Sequence, residues 1–459
     1  MKIAHILHLY NRASFGITPS RLSGMEALSR KQIVDDLFKA SATPRPIEMD
    51  LTIFEPLLEK GYRSLKGARR KELNKRAREK TRELNALWID RMTGASDALR
   101  ERMTLFWANV FVCRENSVWF ALKYNNTLRS HALGNFRDMA KAVSREPAMM
   151  KYLNLNQNVK GSPNENFARE LMELFTLGTG HYSENDIRES ARAFTGYAFQ
   201  RNGDFYIRPR KHDEGTKEFF DNTGNFDGDD ILDMIVQKEQ CAHFICDKLY
   251  REFVNPTVNQ KQLDEITAVF YEGYDIKNVL RHIFMADWFY DEGNMGSRIK
   301  SPVELLVGIK KTVPVQFEKT KQLLFVQKIM GQVLLYPPNV AGWKGDKSWI
   351  DANSLVFRLN LPASLFNGAV INYAEKGEFE DSFEAYYKKK KNRKTALKTQ
   401  VSWEAFDGEY GKLSRRELKQ FLLAPKIDGD TAAYLDNLED QGNREFCLQL
   451  MSLPEYQLC

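Results

Sequence analysis

The chain has 459 residues, 43% of them hydrophobic, and its 67 Lys and Arg against 61 Asp and Glu leave a net charge of only +6. That length exceeds the size at which one apolar core usually keeps growing, so two or three subdomains are expected. A positive excess spread so thinly argues against nucleic acid as a partner, and five cysteines, few and odd in number, do not make a disulfide framework.

The opening stretch, "MKIAHILHLYNRASFGITPS", has its apolar run broken by His5, His8, Asn11 and Arg12. No small-residue cleavage site follows at the usual distance, so it does not read as a signal peptide. No segment reaches the roughly 18 apolar residues that a membrane span requires. As written, the chain is expected to be soluble and cytoplasmic, without a transmembrane segment. Residues 61–93, rich in Arg, Lys, Glu and Leu, predict a long helix. Its acidic residues are interspersed among the basic ones, so its outer face reads as a solvated one. Residues 97–123 are apolar around much of the circumference between Leu105 and Val112, the pattern of a central helix. Two more helices are expected around 127–143 and 147–153.

Next comes "NENFARELMELFTLGTG", residues 164–180, and then "SENDIRESARAFTG". Ser183 and Asp186 have capping-box spacing, and Gly178 and Gly196 stand where helices end, so the two stretches predict an αα-hairpin. Over 197–228 aromatics alternate with polar residues and turn formers intervene, predicting a small inserted β-hairpin. Helices resume from Asp229 to Phe289. "LLYPPNVAGWKGDKSWI" is a Pro/Trp-rich loop. The fold class is thus mainly α: a multi-helix bundle with the inserted hairpin and this loop. Residues 1–375 form the main helical domain, 376–415 with "YYKKKKNRK" a charged exposed excursion, and 416–459 a C-terminal helical piece packing back on the main domain. Cys241 and Cys246 are too far apart for a redox pair and are expected to be buried apolar side chains.

Chemistry is sought first on the helix pair. At about 100° per residue, Phe167, Leu171, Leu174 and Phe175 share one side, while Glu165, Asn166, Arg169, Glu170 and Glu173 share the other. Glu165–Arg169 and Arg169–Glu173 have i,i+4 spacing, so ion pairs on a wet face account for the pattern simply. The second helix adds Glu184, Asp186, Glu189 and Arg192, and "KHDEGTK" adds His212, Asp213 and Lys217. Carboxylates on facing helices with a nearby imidazole are the set that holds a divalent metal or divides acid and base roles. Trp343 and Trp349, close in sequence to Asp346, Asp351 and Arg358, offer rings on which sugars dock, or else pin the loop to the bundle.

"PNENFARELMELFTLGTGHYSENDIRESARAFTGY" resembles the central motif of a large bacterial family of unknown function, DUF1800. The likeness extends through "HLYNRASFGITP", "GNFRDMAKAVSREPAMMKYL", "HDEGTK", "IKSPVELL", "YPPNVAGW" and "LPEYQL". It marks Asn164, Glu165, Asn166, Arg169, Glu170, Glu173, Glu184, Asp186, Arg192, Thr195, Gly196, His212, Asp213, Lys217, Pro338, Gly342 and Trp343. It implies no activity. It does imply that export is common among members, and that a sulfatase- or phosphatase-like protein is a partner. One departure stands out: where the family shows histidines around a Trp-x-Asn-x-Phe segment, this chain has Ala108 and Val110.

Two functions are expected from these readings. The first is a hydrolase or related enzyme acting on a polysaccharide or other polar polymer. Glu165, Glu170 and Glu173 would be its acids, bases or metal ligands, Arg169 and Arg192 its anion clamps, and His212 with Asp213 its proton carriers. Asn166, Lys217, Trp343 and Trp349 would bind substrate. The second is a non-catalytic binding or assembly protein, in which the charged helix pair is an ion network that fixes register and the Trp343 loop is a contact surface.

Overall fold

The helix placed at the centre by its apolar circumference divides the interior in two. Ala98–Val110 sends Leu99, Met103, Phe106, Trp107 and Val110 into one apolar core and Leu105 into another, with Ala108 packed against both. The first core gathers Phe136, Phe175, Phe194, Phe253 and Phe284 from helices between residues 98 and 290. The second gathers Trp88, Leu306, Val326, Leu361, Phe406 and Leu450. This computed structural model describes residues 1–60, 67–368, 397–425, 427, 429–438 and 442–459, and it is mainly helical.

Several elements match the sequence pattern closely. The charged helix spans Gly67–Gly94, buries Leu73, Leu84, Trp88, Ile89 and Met92, and carries the exposed pairs Arg69–Glu72 and Arg76–Glu79. Cys241 and Cys246 are fully buried, and burial pushes the Cys241 thiol up to about 12. No described helix is long and apolar enough to cross a membrane.

Other boundaries differ. The stretch 97–123 is two helices, because the chain turns at Phe111–Ser117 and the Phe111 carbonyl accepts from the Tyr124 hydroxyl at 2.5 Å instead of from a continuing helix. The next helices are Val118–His131, Phe136–Ser144 and Pro147–Tyr152. The single expected hairpin is two: β1 (Tyr197–Phe199) pairs with β2 (Phe205–Ile207), and β3 (Lys217–Phe219) with β4 (Asn222–Gly224). A further sheet joins β5 (Val315–Phe317) to β6 (Thr399–Val401), with Val315 opposite Val401.

Of the expected excursion, 376–415, only residues from 397 on are described. Residues 387–393, which hold the lysine run, lie outside the described residues, but 399–410 return to the second core. There the Trp403–Tyr410 helix buries Phe406 and Tyr410, beside Phe446, Leu450 and Met451 of the Asn443–Met451 helix. The lysine run dominates the composition of the segment and hides the short apolar repeat beyond it.

Candidate functional site

The predicted αα-hairpin forms, but its first helix changes period. Asn166–Glu170 is α-helical and Leu171–Thr176 is a π-turn, closed by the Leu177 N–H donating to the Met172 carbonyl at 2.9 Å. The extra residue in that turn rotates the side chains beyond it about the helix axis. Arg169 reaches the second helix, donating to both Glu184 carboxylate oxygens at 2.9 Å and to Glu165 at 3.3 Å. Glu173, expected to pair with Arg169, instead accepts from the Tyr182 hydroxyl at 3.1 Å. Burial and the neighbouring Glu173 charge push the half-buried Glu170 carboxyl up.

The other candidates assemble elsewhere. The capping box of Ser183 and Asp186 starts the helix Glu184–Ala193, at whose far end Arg192 donates to Asp213 at 2.9 Å and to Glu189 at 2.7 Å. The hydrogen bond from Arg192, with that from the Gly215 N–H, outweighs desolvation and holds the Asp213 carboxyl down at about 2. His212 Nδ1 lies 2.8 Å from the Thr195 carbonyl. A carbonyl only accepts, so Nδ1 carries a proton. Gly196, at φ +81, lets the chain pass beneath: a Cβ there would sit 3.0 Å from the His212 nitrogen.

Lys217 was expected to bind substrate. It is 1% exposed, and its ammonium is spent on the Asp213 and Gly215 carbonyls and the Asn225 side chain, so it serves as an internal strut. From Glu184 to Arg192 the helix rises about 12 Å. The structure therefore makes two groups where one was expected: Glu165, Arg169, Glu170 and Glu173 with Glu184, and Arg192, His212, Asp213 and Lys217 with Glu189. Among the described residues no set of three or more His, Cys, Asp and Glu side chains is placed to hold a metal ion. Asn166 starts the first helix, half-buried.

A third place lies between the two cores. A cavity of about 410 Å³ has Leu105, Phe106 and Val110 on one side and Trp349, Asp346 and Ser301 among its other walls. The two tryptophans part company here. Trp349 lines the cavity, whereas Trp343 is a pin: its backbone N–H donates to Asn109 Oδ1 at 2.8 Å and its carbonyl accepts from Asn109 Nδ2 at 3.1 Å. Gly342 permits this clamp, since at φ +78 its added Cβ would stand 2.4 Å from Asn109 Oδ1. Asp351 caps the next helix through Ser354, and Arg358 is buried on Gln457 and the Lys300 carbonyl, so of the acids near the tryptophans only Asp346 faces this space.

Arg298 and Glu252 line the cavity, and behind them they join an ion-pair network with Arg102 and Glu304. Arg102, fully buried, donates to Glu304 and, at 2.7 Å, to Glu252, and Arg298 donates to both Glu304 oxygens. Burial alone would push the Glu304 carboxyl up, but the charges of Arg102 and Arg298 and the hydrogen bonds from Arg298 and the Ser301 N–H hold it well below the carboxylate range. These four residues were missed by the sequence reading. Their signal was present in part: Glu304 is an isolated charge in the apolar run "PVELL", and Ser301 and Glu304 have capping-box spacing.

The sequence profile of the family described as "Protein of unknown function (DUF1800)" matches residues 8–458. The chain belongs to the DUF1800 family. No curated protein and no solved structure matches it. In this DUF1800 protein the motif segments "IKSPVELL" and "FWANVF" meet at the ion-paired wall, and "YPPNVAGW" is clamped beside it. Of the two positions singled out in "FWANVF", Val110 lines the cavity beside Asn109, and Ala108 packs between the cores.

Proposed function

We propose that this protein binds a polysaccharide or related polar polymer in the Trp349 cavity. The observation that carries the reading is the pairing of a tryptophan and an apolar floor with hydrogen-bonding groups, Asp346, Ser301 and Gln332, around about 410 Å³. That volume falls in the range of small-molecule sites, and such a combination suits a sugar ring, whose C–H faces lie on the aromatic surface while its hydroxyls meet the polar atoms. The charged helix pair supports a structural part for itself, because Arg169 and Arg192 are engaged by carboxylates of their own chain. Affinity gel electrophoresis on a panel of polysaccharides tests the proposal. Trp349→Ala should lose about tenfold or more of the retention shown by the wild type at unchanged helicity. Absence of wild-type retention on every polymer of the panel would end the proposal.

A hydrolase is the second reading, favoured by Glu170. Its raised carboxyl has the property of a general acid, and Glu173 would be its charged neighbour. If it is right, Glu170→Gln lowers the release of reducing ends from the retained polymer by about a hundredfold or more while the melting temperature holds. Equal release by wild type and variant, or none by either, leaves binding as the function.

A further inference from the structure

The charge of the Trp349 cavity is not balanced by its own carboxylates. Three cations line it, Lys248, Arg251 and Arg298. Arg251 donates to Asp247 at 2.9 Å and to the Pro256 carbonyl at 2.7 Å, and Arg298 shares Glu304 and Glu252 with Arg102. Lys248 is different: among the described residues its ammonium has neither a carboxylate nor a hydrogen-bond partner, only the Phe244 ring with its centroid 4.5 Å away. Burial lowers its pKa, as expected of an ammonium short of company; Asp247 opposes this through space but is already bonded to Arg251.

Behind Arg298 lie three further cations, with Glu304 as the carboxylate whose charge reaches all of them. Arg12 and Arg358 are fully buried, and burial lowers each to about 10; Lys300 is lowered to about 8 by the same cause. Their described hydrogen bonds go to neutral oxygens: Asn294 and Ser297 for Arg12, Tyr456 for Lys300, and Lys300 and Gln457 for Arg358. Low-dielectric walls focus such a field into the opening they surround. Asp346 is the counterweight, a carboxylate whose described partner is the Ile299 N–H at 3.4 Å, leaving acceptor capacity for hydroxyls.

Resting on the binding reading above, we propose that the ligand of this cavity is an acidic sugar polymer, with its anionic substituent on Lys248 and its hydroxyls on Asp346. A lysine is a compact point charge rather than a planar fork, so it selects for charge and accepts a carboxylate or a sulfate alike.

The test is calorimetric titration of the full chain with three probes: a short oligogalacturonate, the same oligosaccharide with its carboxylates methyl-esterified, and a sulfated oligosaccharide of similar length. The galacturonate should bind roughly tenfold tighter than its ester, less so at high salt. Lys248→Met should abolish that preference by lowering galacturonate binding to the level of the ester, and Lys248→Arg should keep it. The sulfated probe decides the source of the anion: preference for it over galacturonate assigns a sulfated polymer, the reverse a uronate. Equal binding of acid and ester, or a preference that survives Lys248→Met, overturns the acidic ligand and leaves polymer binding intact. Failure of all three probes to bind overturns the acidic ligand, while the polymer-binding reading is decided by the retention panel.

Discussion

Glu304→Gln should lower the free energy of unfolding by about 3–5 kcal/mol. Glu304 is the shared acceptor of Arg102 and Arg298, and all three are buried. Taking away its charge leaves two guanidinium groups in a low-dielectric interior with only Glu252 to share, 2.7 Å from Arg102 and 3.6 Å from Arg298. The cost is that of stranded cations and not the worth of the pairs. Removing the three charges together, as Arg102→Met, Glu304→Leu and Arg298→Met, should therefore cost much less than Glu304→Gln alone. Urea denaturation of both variants checks this, and a single-variant loss below about 1 kcal/mol would show that water reaches the network.

The pH dependence has a definite sign. The folded Glu304 carboxyl lies below its ordinary value of about 4.3, so its stabilisation is fully present above that value and is lost as pH falls towards the folded one. Asp213, held at about 2 in the folded chain, adds to the same acid limb between roughly pH 4 and 2.

Gly342→Ala should be strongly damaging for a change of one methyl group. Its backbone sits at φ +78, where a side chain costs about 1–3 kcal/mol, and the new methyl would meet Asn109 Oδ1 at 2.4 Å and Val112 Cγ2 at 2.8 Å. Relief requires breaking the Asn109 clamp, and with it the path of the loop that carries Asp346 and Trp349 into the cavity. A fall in melting temperature together with loss of polymer retention is the expected result. A variant that is destabilised yet binds as well as the wild type would separate the clamp from the cavity.

Much of the scaffold is legible without coordinates because it depends on neighbours in the chain. The apolar circumference of Ala98–Val110, the Ser183–Asp186 cap and the outer face of Gly67–Gly94 are periodic or short-range features, and each forms as expected. Periodicity fails where the period itself changes: the π-turn at Leu171–Thr176 separates Glu173 from Arg169, and nothing in the spacing of "ELMELF" announces it. Composition fails where a charged run masks a short apolar one, as before Phe406 and Tyr410.

By itself the sequence determined the family, the mainly helical class and the residue types available for chemistry, all of which come from local pattern and motif order. Only the tertiary structure decided which of those residues meet. Arg102 reaches Glu252 and Glu304 across 150 and 202 residues of chain, and Trp349 turns inward while Trp343, six residues earlier, is clamped. Such encounters are settled by which helix faces share a core, because burying a charge is tolerable only where the packing of distant segments delivers its counter-charge.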